Sequence, residues 1–194
     1  MPRKSQRNTR GKIVAAAWKL FYEQGYEHTT VEDILALSGT SKGTFYRYFD
    51  GKDALLGTLS VLFDEKYAEL MPTIPEDMDA LDALAWLNRE LFSMIDASIP
   101  LELLARLLST QLTVRGEKHL LDRDRLYFRL LREIVSRGQA RGEIRSDRTV
   151  SEITKAYALM ERALMYDWCL CGGVYNLSRY GEEMMGQFLQ TYRK

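Results

Sequence analysis

The 194-residue sequence predicts an all-α protein: a three-helix head over residues 1–51 and a larger helical bundle over 52–194, with about nine helices in total. Three observations predict this. Apolar residues recur at helical spacing in nearly every segment. Glycine, proline and capping residues punctuate those segments at helical lengths. The apolar–polar alternation of half-buried strands is almost absent, and neither an internal repeat nor a low-complexity linker interrupts the pattern.

The first helix carries Ile13, Ala16, Ala17, Leu20 and Phe21 on one stripe and ends near Gly25. Thr30 opens the second, with Asp33 three positions later in the place of a capping-box acid. That helix presents Val31, Ile34, Leu35 and Leu37, and Ser38-Gly39-Thr40 breaks it. Ser41 caps the third, which places Phe45 and Phe49 at i,i+4 on one face before Asp50-Gly51 stops it.

Six further helical patterns make the body: Lys52 to Leu70, Glu76 to Ser98, Leu101 to Val114, Glu117 to Arg141, Thr149 to Cys171 and Leu177 to Tyr192. Pro72 and Pro75, Pro100, Gly142 and the Gly172-Gly173 pair mark stops between them.

Composition excludes several classes. Apolar content is 46% and charged content 28%, the balance of an ordinary globular protein. No run of 18 apolar residues occurs, so no membrane span is expected. The start, "MPRKSQRNTRGK", carries charge but no apolar stretch with a cleavage site, so no secretory signal is expected either. Two cysteines two positions apart make no disulfide framework, and the expected location is cytoplasmic. Charge is uneven: residues 1–52 hold nine basic against five acidic residues, a net +4, and the remainder balances at −4. A basic head on an acidic body suits a polyanionic partner, although a merely solvated charged face has the same composition.

The stretch "SKGTFYRYF", residues 41–49, gives that head its chemistry. Two short helices joined by a tight glycine turn, the second basic and aromatic, form a helix-turn-helix. Phe45 and Phe49 anchor the second helix on the first, and Lys42, Tyr46, Arg47 and Tyr48 then point outward. Long cationic donors reach phosphates or guanine edges, and tyrosine hydroxyls donate to phosphate oxygens. Gly43 clears the first turn for close approach, and Ser41, the cap, completes the DNA-facing set. An amphipathic surface helix with no nucleic-acid partner is the competing reading of the same pattern.

The segment "TTVEDILALSGTSKGTFYRYFDGKDAL" resembles the N-terminal signature of the tetracycline-repressor (TetR) family of transcriptional regulators. The matching elements are Thr30, Asp33-Ile34, Gly39, Ser41 through Tyr46, Tyr48-Phe49 and Lys52, and "GQARGEIRSD" is similar to the end of that family's seventh helix. Leu35, Ser38 and Thr40 depart from its usual alanines and valine, all at packing positions.

The resemblance implies a homodimer on a palindromic double-stranded DNA operator, with one recognition helix per subunit. It implies that Lys42, Gly43 and Tyr46 approach bases, and that Thr30, Thr44, Tyr48 and Lys52 contact phosphates. The role of Arg47 depends on the tilt of the helix in the groove. Lys52, at the start of the helix joining head to body, would couple ligand binding to DNA contact. The resemblance further implies a small-molecule effector in the bundle, repression as the default outcome, and no cofactor.

In the body, Trp86, Phe92, Tyr127, Phe128, Tyr157 and Met160 are candidate pocket residues, with plain core packing as the alternative. Trp168, Met184, Met185 and Phe188 are the candidate dimer residues, because the last two helices carry more large apolar side chains than one protomer's core needs. Glu161-Arg162 reads as a surface or interface pair ahead of a buried sensor pair, and His119 as a solvated histidine ahead of a ligand-sensing one. Cys169 and Cys171 have poor metal spacing and share no helix face, so packing is expected and no metal site. No nucleophile elbow, phosphate loop or H-E-x-x-H pattern occurs, and no enzymatic activity is expected. A thiol redox protein acting through the two cysteines and a helical adaptor are the alternatives from other classes.

Overall fold

The computed structural model describes residues 3–113 and 118–194, with side chains from Thr9 onward. Its helices follow the predicted order: α1 (Arg3–Gln24), α2 (Val31–Ser38), α3 (Lys42–Tyr46), α4 (Lys52–Leu56), α5 (Leu59–Leu70), α6 (Ala80–Ser98), α7 (Leu101–Thr113), α8 (Leu126–Arg141), α9 (Val150–Leu170) and α10 (Leu177–Gln190). Short 3-10 turns lie at Met71–Thr73 and His119–Leu121. Among the described residues the only β-type pairing is an isolated bridge between Ile144 and Arg193, which ties the C-terminal end back onto the turn after α8. No helix among them is long and apolar enough to cross a membrane.

Three boundaries differ from expectation. The Lys52–Leu70 pattern is two helices, because Gly57 and Thr58 interrupt it. The Thr58 hydroxyl donates to Leu55 O at 2.6 Å and accepts from the Trp18 indole at 2.8 Å, so the break is latched to α1. Next, α6 begins at Ala80 rather than Glu76, where Asp79 accepts from the backbone N–H groups of Leu81 and Asp82. Finally, α8 begins at Leu126, behind a 3-10 turn, rather than near Glu117. The helix ends set at Val114 and Glu117 lie outside the described residues, as do the side chains of Arg3, Lys4 and Arg7.

In the body, α6 is the central element. It packs along α10, and also against α5 and α8. Leu84, Leu87, Phe92 and Ile95 on α6 are fully buried. The core is continuous through Leu55, Leu56 and Leu59 into the head, where Ile13, Ala17, Ile34 and Phe45 are buried. Head and body therefore share one hydrophobic core at their junction, and this sets the direction in which the head points.

Candidate nucleic-acid interface

The helix pair in the head is built from local signals. The Thr30 hydroxyl accepts from Asp33 N at 3.1 Å, and the Asp33 carboxylate accepts from Thr30 N at 2.9 Å, a reciprocal capping box that starts α2. The same Thr30 donors hold the Asp33 carboxyl below its ordinary range. Gly39 ends the helix in the left-handed region at φ 65°, where its N–H reaches Leu35 O. Ser41 Oγ then accepts from Thr44 N at 3.3 Å to cap α3. The chain stays helically coiled past Tyr46, since Phe49 N donates to Phe45 O at 3.0 Å.

Packing decides which side of α3 is presented. Phe45 is fully buried with Ile34, and the Phe45 and Phe49 ring centroids are 5.8 Å apart. On the opposite side Ser41, Lys42, Gly43, Tyr46 and Arg47 are exposed, as is Thr30. Thr44, Tyr48 and Lys52 are half-buried. A Cβ placed on Gly43 would have no atom within 4 Å, so the protein's own packing does not require glycine there. Lys42 forms a loose exposed pair with Glu32 at 3.6 Å. The Arg47 guanidinium donates to the Tyr48 hydroxyl at 3.1 Å and lies over its ring. Arg10 of α1, part of the basic run, lies 5.3 Å over the Phe49 ring on the same head.

The Lys52 ammonium has a partner within the protein. It donates to Tyr26 O at 2.7 Å and sits 4.1 Å over the Tyr26 ring. The Tyr26 hydroxyl donates to Asp53, and Arg106 of α7 lies over the same ring while pairing with Glu27. Burial, and then the Asp53 carboxylate, push the Tyr26 hydroxyl far above its ordinary range. Tyr22 Oη also donates to Ser98 O at 2.8 Å. The turn between α1 and α2 is thus clasped by both α4 and α7. This arrangement depends on contacts between residues far apart in sequence, and nothing in the local pattern signals it.

Besides a groove of about 350 Å³ at Arg145, Glu152 and Tyr192, two cavities of the body adjoin α9. One of about 370 Å³ lies between α8 and α9, with Phe128 in its lining. One of about 20 Å³ lies deeper, lined by Tyr67, Tyr127, Glu161 and Arg162 among others. Of the candidate pocket residues, Trp86, Phe92, Tyr157 and Met160 line neither cavity. Phe92 packs against Gly181 of α10, and the Tyr157 hydroxyl donates to Leu84 O at 2.9 Å, so both serve the core. Glu161 is a correction to the expected surface pair: it is 3% exposed and accepts from Tyr67 Oη and Asn88 Nδ2, both at 3.2 Å. Arg162 beside it is half-buried and lines both cavities.

Trp168 and Met185, two of the four expected dimer residues, are buried in the protomer's own core, whereas Met184 and Phe188 are half-exposed. The apolar side chains that α9 leaves in solvent are Leu159, Tyr166 and Leu170, at 62, 45 and 70% exposure. With Ala163 they form a stripe at helical spacing. The sequence reading missed them because α9 is apolar on several faces at once. His119 is exposed, as expected. Cys169 is half-buried and its thiol is pushed up to about 11 by burial, while Cys171 is exposed.

A helix-turn-helix head fused to a helical body is the class of protein these features define. Residues 13–59 match the family model described as bacterial regulatory proteins, tetR family. That match covers the helix-turn-helix head and runs through α4. Among similar proteins, the HTH-type transcriptional regulator TcmR of Streptomyces glaucescens is 34% identical over 79 residues, 41% of this chain and 35% of that one. The regulator TtgR of Pseudomonas putida is 31% identical over 88 residues, 45% of this chain and 41% of that one. Such matches span less than half the length of these curated relatives. The fold is similar over nearly the whole chain to FadR from Thermus thermophilus in complex with lauroyl-CoA, with a TM-score of 0.74, 22% identity and coverage of 93% of both chains. FadR from Bacillus subtilis in complex with stearoyl-CoA is similar at a TM-score of 0.68 and 22% identity, over 93% of this chain and 97% of that one.

Proposed function

We propose that this protein is a sequence-specific DNA-binding transcriptional regulator. It acts as a homodimer on a palindromic operator and is a repressor released when a small molecule binds in the helical body. The observation that carries the reading is the two-sided α3: Phe45 and Phe49 hold it from below, and Ser41, Lys42, Gly43, Tyr46 and Arg47 are left facing outward. Such a helix suits the major groove, with its cations and hydroxyls on phosphates and base edges. The net +4 of residues 1–52 supports the same partner.

The division of labour falls between residues 51 and 52, with the helix-turn-helix head before it and the effector and dimer body after it. The matched relatives are named as transcriptional regulators, which supports a non-enzymatic, cytoplasmic role. The acyl-CoA complexes of two similar folds support a small-molecule effector here. The exposed apolar stripe of α9 and the half-exposed Met184 and Phe188 of α10 support a dimer through those helices.

Selection from a random duplex pool tests the reading. Purified protein is expected to enrich one palindromic sequence. If the dimer neutralises ~6 phosphates, log K falls against log salt with a slope of about −5. No enriched sequence, or a flat salt dependence, overturns it.

A further inference from the structure

We propose that the cavity between α8 and α9 binds a phosphate-bearing small molecule with an apolar part. Four cationic side chains, Arg123, Arg132, Lys155 and Arg162, line this space of about 370 Å³, and none of its lining residues is acidic. Among the described residues none of the four makes an ion pair, whereas seven other arginines of the body do, Arg89, Arg125, Arg145 and Arg193 among them. Both terminal nitrogens of Arg132 donate to the Arg123 carbonyl at 3.3 Å, which holds that guanidinium at the rim without neutralising it. Thr154 supplies a second, independent observation. It is 4% exposed, lines the cavity, and its hydroxyl has no hydrogen-bond partner among the described residues. A buried hydroxyl without a partner is costly, and a ligand oxygen would satisfy it.

Four like charges around one space repel one another until a multiply charged anion enters. A phosphate matches that charge better than a single carboxylate, and guanidinium forks pair its oxygens in twos. Phe128 and Ala158 are buried residues of the same lining and give it an apolar floor. The space exceeds what a bare phosphate fills and lies in the range of small-ligand sites. It is too confined for a duplex or a folded partner.

The binding stands on the cavity alone, and only its consequence for DNA rests on the regulator reading above. Calorimetry on the full chain at low salt tests it with three probes: pyrophosphate, lauroyl-CoA and laurate. Pyrophosphate and lauroyl-CoA are expected to bind, lauroyl-CoA more tightly, and laurate more weakly than lauroyl-CoA. Arg132→Gln, Lys155→Gln and Arg162→Gln are each expected to weaken both phosphate probes by roughly tenfold, with a smaller effect on laurate. These positions are exposed or half-buried, so thermal melts should stay near that of the parent. No binding of either phosphate probe to the parent, or three folded variants within about twofold of it, overturns the proposal. Variants that lose DNA affinity while keeping pyrophosphate affinity overturn it too, since the cations would then serve DNA. Phosphate binding that leaves DNA affinity untouched supports the site and counts against the effector reading instead.

Discussion

Tyr46 and Lys42 stand on the outward side of a helix that the protein packs only from the other side. Within the protein Tyr46 makes one edge-on ring contact with Phe45 and Lys42 one loose exposed pair with Glu32, so most of the effect of removing either side chain is expected to fall on the partner. Tyr46→Ala and Lys42→Ala are expected to lose roughly 1–3 kcal/mol of discrimination at the base pairs each reads. Titrations against the selected operator and against random duplex measure this, and equal losses on both would place these residues on phosphates only. Lys52 behaves differently, because its ammonium already braces the Tyr26 carbonyl. The placement of Phe45, Phe49 and Tyr46, two inward and one outward, was legible in the sequence because an i,i+4 aromatic pair fixes one face of a short helix. The roles of Lys52 and Glu161 were not, since each depends on residues distant in the chain. For Glu161, burial holds the carboxyl above its ordinary range, against the hydrogen bonds from Asn88 and Tyr67 that favour the charged form. The folded state therefore holds that proton more tightly than the unfolded chain does. The stability gained is complete below the ordinary carboxylate pKa and is lost as pH rises through the raised value. Glu161→Gln keeps the shape and cannot ionise, so urea melts across a pH series should show the parent losing stability relative to the variant toward neutral pH. Parallel profiles would mean that the carboxyl titrates normally.

At the scale of elements, the close approach of α8 to α6 depends on Gly138. A Cβ there would lie 2.5 Å from Ala80 Cβ and 2.8 Å from Ile144 Cδ1. Alanine should gain about 1 kcal/mol in helix propensity. The clash is with an alanine methyl that has no rotamer to change, and overpacking of this kind costs about 1–3 kcal/mol. Gly138→Ala is expected to lower the melting temperature by a few degrees, and a rise would show that α8 shifts freely. Helix order was legible throughout the body because the apolar period and its stop signals agree. The break within Lys52–Leu70 carried a visible sign in Gly57, yet leucines continue on both sides and periodicity alone runs across it. The Trp18–Thr58 hydrogen bond that fixes the break joins residues 40 positions apart.

For the whole molecule, the exposed stripe of α9 decides what a second copy would meet. Leu170→Glu together with Tyr166→Glu changes side chains that are solvent-facing in the protomer, so the fold should survive. Across a dimer interface the same charges would be buried and unpaired, at a cost of several kcal/mol. Light scattering is expected to report a monomer, with operator binding lost and the circular dichroism spectrum unchanged. A dimer that persists places the interface elsewhere. A dimer through the last two helices was expected from their apolar content, but Trp168 and Met185 face inward. Periodicity marks which residues share a face and does not say whether that face meets the protomer's own core or a neighbour.

The clasp around Tyr26 bears on how such helix-turn-helix proteins are recombined in the laboratory. A hybrid made by transplanting residues 1–51 onto a foreign body carries Tyr26 and Glu27 but leaves behind Lys52, Asp53 and Arg106, which brace them. Moving the cut to residue 57 restores the first two and still omits the arginine from α7. A faithful transplant therefore needs a recipient with a cation at the position equivalent to Arg106. Without it the borrowed reader would fold, yet point in a direction its new host no longer governs.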